Sequence, residues 1–204
     1  MKIKFITFVS ILLSLTVVAD PAETVIAGWH QGSSFSGGKW NADIVAPGIK
    51  AQAGSVAGSL YKSPNGSNDE TFGAEFAGAR KGNGAIGLNV DKYVEFTVTN
   101  RGARPCRLLA FRFDAYRSYS KGIPQLVVSI VSGDKTVKDL MTVKLRARGA
   151  NATVDATDFD DFDILLDDHT LAGGESVTFR IAGVGGESPI VLDNIAVTGI
   201  PASK

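Results

Sequence analysis

Tyr93-Val94-Glu95-Phe96-Thr97-Val98-Thr99 alternates apolar and polar side chains, with β-branched and aromatic residues throughout. Successive side chains of an extended chain point to opposite faces, so this two-residue rhythm marks a half-buried strand. The same rhythm runs through residues 109–116, 125–131 and 176–181. Residues 190–198 are richer in apolar side chains, which predicts a strand in the middle of a sheet. Between these segments lie Ser132-Gly133-Asp134, Arg148-Gly149, Ala172-Gly173-Gly174-Glu175 and Gly183-Val184-Gly185-Gly186, all of them turn formers. No segment after the first twenty residues keeps a helical 3.6-residue stripe for three turns. The chain is therefore expected to be all-β, a two-sheet antiparallel β-sandwich of jelly-roll type with the sheets about 10 Å apart.

The region from Gly28 to Gly87 reads differently, because glycine, serine, alanine and asparagine dominate and only Trp29, Phe35, Trp40, Tyr61, Phe72 and Phe76 supply bulk. Short strands are expected near residues 24–30, 49–53 and 71–76, joined by long surface loops of the kind that carry binding sites on a rigid scaffold. No internal repeat and no linker divides the 204 residues.

Lys2 and Lys4 precede an apolar run from Phe5 to Val18, and Val17-Val18-Ala19 suits signal peptidase, so residues 1–19 are expected to be a signal peptide and residues 20–204 one domain. The run is short for a membrane span, which takes roughly 20 apolar residues, and no second one follows. A secreted protein is the expectation, with no membrane span in the mature chain. The whole chain holds 21 basic and 21 acidic residues. Loss of Lys2 and Lys4 leaves a small net negative charge, which offers no pull on nucleic acid. Cys106 stands alone, so an intrachain disulfide is excluded and the residue reads as a buried apolar filler.

Four segments resemble a known group in order and spacing. Asp91 to Thr99 looks like the "N-D-Y-F-E-F-T-V-T" strand of secreted bacterial jelly-roll proteins associated with the PEP-CTERM sorting tail. Phe111-Arg112-Phe113-Asp114-Ala115-Tyr116-Arg117-Ser118, followed by Gly122-Ile123-Pro124, is similar to the group's "L-x-F-D-x-R-R-S-x-x-G-P" segment. Val177-Thr178-Phe179-Arg180-Ile181 resembles its "V-x-F-R-L-Y" strand, and Leu192-Asp193-Asn194-Ile195-Ala196-Val197-Thr198-Gly199 its closing "I-D-N-I-x-V-T-G". The chain ends at Pro201-Ala202-Ser203-Lys204 without the sorting tail, so free secretion is expected. The resemblance implies a fold more than a chemistry; carbohydrate-binding-module sandwiches are the nearest functional analogues.

Those analogues often hold a structural Ca²⁺ between an Asp of the last strand and an acid of the first. A carboxylate among apolar neighbours needs a compensating partner, and Ca²⁺ takes six to eight oxygens. Asp193 and Asn194, with Glu23 from the first strand, are the candidate ligands; backbone or arginine hydrogen bonds to Asp193 are the alternative. The acidic stretch from Asp155 to Asp163 lacks the EF-hand glycine and glutamate and reads as a solvated face anchored by Phe159 and Phe162.

For ligand contact, Trp40 and Tyr61 are the sugar-stacking candidates, while Tyr116, Arg117 and Tyr119 form a second aromatic and guanidinium group. Trp29 reads as core. Arg117 also suits a structural role, paired with an acid such as Asp114. Glycosidase chemistry needs two carboxylates about 5–10 Å apart across a cleft, and no pair is marked out by context. No nucleophile elbow, His-Glu-x-x-His or phosphate loop is present. The leading expectation is a secreted non-catalytic module binding an extracellular polysaccharide or matrix polymer. The competing readings are a structural envelope protein and, third, a glycoside hydrolase.

Overall fold

The computed structural model describes residues 22–29, 35–36, 39–52, 55–56, 61–62, 86–117, 121–132, 135–147 and 159–201. The expected leader, the strand near residues 71–76, His30 and Tyr119 lie outside them.

All regular elements among the described residues are strands. The glycine-rich half supplies short ones: β1 (Thr24–Trp29), β2 (Phe35–Ser36), β3 (Lys39–Trp40), β4 (Ile44–Val45), β5 (Ile49–Ala51), β6 (Ser55–Val56), β7 (Tyr61–Lys62) and β8 (Ile86–Leu88). The regular half supplies β9 (Tyr93–Asn100), β10 (Cys106–Tyr116), β11 (Gln125–Ser132), β12 (Lys135–Lys144), β13 (Asp160–Leu171), β14 (Ser176–Val184) and β15 (Ile190–Ile200). One antiparallel sheet runs β13-β10-β15-β1-β4, with β8 pairing the start of β15 and β7 pairing β8. The second runs β12-β11-β14-β9-β5, with β6 also against β9. β13, β14 and β15 alternate between the sheets, the crossing habit of a jelly roll, so the expected sandwich is what the chain forms.

The alternation that marked β9 now has its cause. Val94, Phe96 and Val98 are wholly buried against the first sheet, while Tyr93, Glu95, Thr97 and Thr99 stand half-exposed on the outside. Phe179 of β14 stacks on Phe111 of β10 at 4.6 Å between ring centroids, and Trp29 of β1 meets Phe96 edge-on at 5.0 Å. Each such pair joins the sheets and contributes about 0.5–1.5 kcal/mol beyond the burial of its area. β15, central between β10 and β1, is buried on both faces, as its apolar sequence predicts: Ile195 and Val197 enter the main core, while Ala196 packs against Val25 and Ile44 and Val191 joins Tyr116 and Phe159. At the β9–β10 corner the buried Asn100 side chain donates to the carbonyls of Arg104 (2.8 Å) and Leu171 (2.9 Å) and accepts from the Gly102 amide, fastening the chain where it changes sheet.

Two long strands escape the sequence pattern. β12 is an edge strand with nearly every residue exposed and two register shifts against β11, so no alternation survives. β13 pairs Leu108 with His169 but Ala110 with Leu165, so residues 166–168 bulge and the period breaks. The end of the acidic stretch lies in β13. Asp161 and Asp163 face water as expected, with Phe159 buried and Phe162 half-buried beneath.

Candidate functional site

The outer face of the second sheet carries an ordered polar surface. Glu95, Arg180, Ser129 and Asp139 lie in register across β9, β14, β11 and β12, so their side chains share one face. Arg180 Nε and Nη2 both donate to Glu95 Oε1, at 2.8 and 2.5 Å, and the guanidinium lies 4.1 Å from the centre of the Tyr93 ring. The side chains of Arg180 and Glu95 keep 14 and 20% of their surface exposed. Beyond this pair, Thr97 and Thr178 share a hydrogen bond of 2.8 Å, as do Thr99 and Ser176. The result is a surface of one aromatic ring, one fixed guanidinium–carboxylate pair and two rows of hydroxyls. Strand pairing holds it and the aromatic core backs it, so its geometry is set before any ligand arrives.

A second polar group is enclosed in the first sheet. Asp114 of β10 faces Asp193 of β15 where their register slips, and Asn194 adopts a positive φ of 47°. Left-handed backbone suits Asn better than most residues. The positive φ falls where β15 changes neighbour, from β1 at Ile195 to β8 at Leu192. Asp193 Oδ1 accepts from the Asn194 amide at 2.8 Å, and Asn194 Nδ2 donates to Asp114 Oδ2 at 2.6 Å. All three residues are buried, and Asn194 Oδ1 has no hydrogen-bond partner. Two carboxylates and an orphaned amide oxygen are the donor chemistry that Ca²⁺ takes. Among the described residues, no group of three or more His, Cys, Asp or Glu side chains converges on a metal position. A cation here would draw its remaining oxygens from backbone or water.

Several expected site residues are placed elsewhere. Glu23 is excluded from a shared metal site with Asp193: Thr24 pairs with Gly199, six residues along β15, or about 20 Å at strand rise. Glu23 instead pairs with Arg112 at 3.0 Å, and Arg112 also holds Asp163. Trp40 is wholly buried against Phe96, and Tyr116 is 1% exposed beside Phe159, so both are core rather than stacking platforms. Arg117 donates to the Gly122 carbonyl at 2.9 Å and, more loosely, to that of Leu145, the structural role open to it from the sequence. The side chains of Tyr61 and Tyr119 lie outside the described residues. Cys106 is buried, which pushes its thiol up and away from the thiolate. Burial lowers His169, with Lys138 adding to the effect and Glu175 opposing it.

Tyr93, Glu95 and Arg180 were not singled out from the sequence. The signal was present in the alternation itself, since the positions facing away from Phe96 and Phe179 include an aromatic and an arginine–glutamate pair.

No protein-family model matches the chain, and no curated protein matches it. Solved structures similar to it include carbohydrate-binding modules. A family 35 module from Clostridium thermocellum is 11% identical, with 89% of this chain and 99% of that one covered at a TM-score of 0.41. TmCBM27, described for specific mannan recognition, is 16% identical over 87 and 98%, at 0.39. An exo-β-1,3-galactanase from Phanerochaete chrysosporium is 15% identical over 76% of this chain, which spans 30% of that enzyme, at 0.40. Identities this low and superpositions this loose carry no ligand, partner or activity across.

Proposed function

We propose that this chain is an exported, non-catalytic module that binds a hydroxyl-rich extracellular polymer on the outer face of the second sheet. The observation that carries the proposal is the Tyr93–Arg180–Glu95 group beside the hydroxyl rows of Thr97, Thr178, Thr99 and Ser176. Sugar rings present apolar faces and rims of hydroxyls. An amphipathic ring with fixed donors and acceptors around it matches both features at little ordering cost. The leader at residues 1–19 supports export to where such polymers are found.

Within the same proposal, Asp114, Asp193 and Asn194 hold a structural Ca²⁺ that fixes β15 against β10, away from the binding face. The orphaned Asn194 oxygen supports this assignment.

The test is retention of the mature chain on immobilised polysaccharides. Wild type should be retarded by at least one polymer, and Tyr93→Ala should weaken it about tenfold, the loss of roughly 1.4 kcal/mol expected from one stacking ring. Trp40→Phe, a change in the core, should bind as wild type does. Equal retention of Tyr93→Ala and wild type would remove the platform from the binding reading. Failure of wild type on every polymer, with self-association instead, would favour an envelope structural protein.

A further inference from the structure

We propose that the polar row on the second sheet makes the surface selective for neutral polymers and that Glu95 is the residue setting this selectivity. The inference rests on the binding reading above and names its ligand class. An open guanidinium beside an aromatic ring would be a ready site for carboxylate- or sulfate-bearing sugars, since the arginine fork matches planar anions in two-pronged fashion. Here the Nε–Nη2 edge of that fork is closed. Arg180 Nε and Nη2 are both committed to Glu95 Oε1, and the guanidinium carbon sits over the Tyr93 ring, 4.1 Å from its centre.

Asp139 continues the row, opposite Ser129, which in turn pairs with Arg180. Two strand spacings put it about 10 Å from Arg180, on the order of one Debye length at ordinary salt. The row thus sets two carboxylates against one guanidinium. Lys144, opposite Gln125, and the exposed Lys50, opposite Thr99, stand on the same face but outside this row. An approaching anion meets a net negative strip, while a neutral sugar finds Glu95 Oε2 and the threonine hydroxyls as hydrogen-bond partners. Glu95 therefore both orients Arg180 and repels acidic polymers.

The experiment compares wild type, Glu95→Gln and Asp139→Asn on neutral polymers (mannan, β-1,3-glucan, galactan) and uronate polymers (polygalacturonate, alginate), at low salt and at 0.5 M NaCl. Wild type should be retained by a neutral polymer independently of salt and ignored by uronates. Glu95→Gln should gain uronate binding by about tenfold or more, abolished by salt, because the guanidinium charge is then no longer neutralised and attracts carboxylates. Asp139 is exposed at the sheet edge. Its Asn variant leaves the fold intact and should show a smaller gain of a few-fold in the same direction. Uronate binding by wild type equal to its neutral binding would overturn the proposal. Folded variants that bind neutral polymer but gain nothing on uronates would overturn it while leaving the binding reading standing. A wild type that binds no polymer removes both.

Discussion

Gly199→Ala should damage this protein far more than the loss of a hydrogen atom suggests. Gly199 of β15 lies opposite Leu108 of β10 where their ladder slips before Ala110. A Cβ there would meet the Arg107 carbonyl oxygen well inside the 3.0 Å that real Cβ atoms keep, with Leu108 Cα at 3.1 Å and Arg107 C at 3.2 Å. All three atoms belong to the backbone of a strand paired on both sides, so no side chain can swing away. The strands must part by several tenths of an ångström, weakening the ladder in the middle of the first sheet. Overpacking of this kind costs about 2–3 kcal/mol, or a fall in Tm of about 4–12 °C at this chain length. Gly174→Ala is the control. Its φ of 85° strains an alanine, but nothing lies within 4 Å of the added carbon, so about 1 kcal/mol and 2–4 °C are expected. Thermal and urea melts followed by tryptophan fluorescence suit both variants, since Trp29 and Trp40 are buried reporters. If Gly199→Ala melted within 2 °C of wild type, or no lower than Gly174→Ala, the close approach of β10 and β15 would be wrong.

Added Ca²⁺ should raise Tm and chelator should lower it, because an ion bound only by the folded chain stabilises it by mass action. Asp193→Ala should abolish the response, and an unchanged Tm with either addition would dismiss the site. His169 supplies a pH test. Its folded pKa lies below the ordinary 6.5, chiefly through burial, with Lys138 adding to the shift and Glu175 opposing it. The unfolded chain therefore binds the proton more readily, and stability should decline as pH falls below about 6.5 through the depressed folded value. His169→Gln should flatten that part of the Tm–pH curve; an identical slope in both proteins would assign the decline to other groups.

What the amino-acid sequence determined alone is the class of fold and its regular half. The alternation at residues 93–99, 109–116, 125–131 and 176–181 reflects a local rule, one face in and one face out, which burial follows strictly in β9 and β14, so it is visible without knowing any partner. The apolar run of residues 190–198 likewise announced a central strand, which extends to Ile200. β12 and β13 were illegible because exposure and bulging erase the period that sequence reading depends on. The sites depend on register, which is a property of pairs of strands. Only pairing brings Glu95 to Arg180, 85 residues apart, and Asp114 to Asn194, 80 residues apart. The same pairing carries Glu23 to the far end of β15 from Asp193. Burial of Trp40 and Tyr116 was decided in tertiary space as well: an aromatic side chain suits a core and a sugar equally, and what packs over it settles which role it takes.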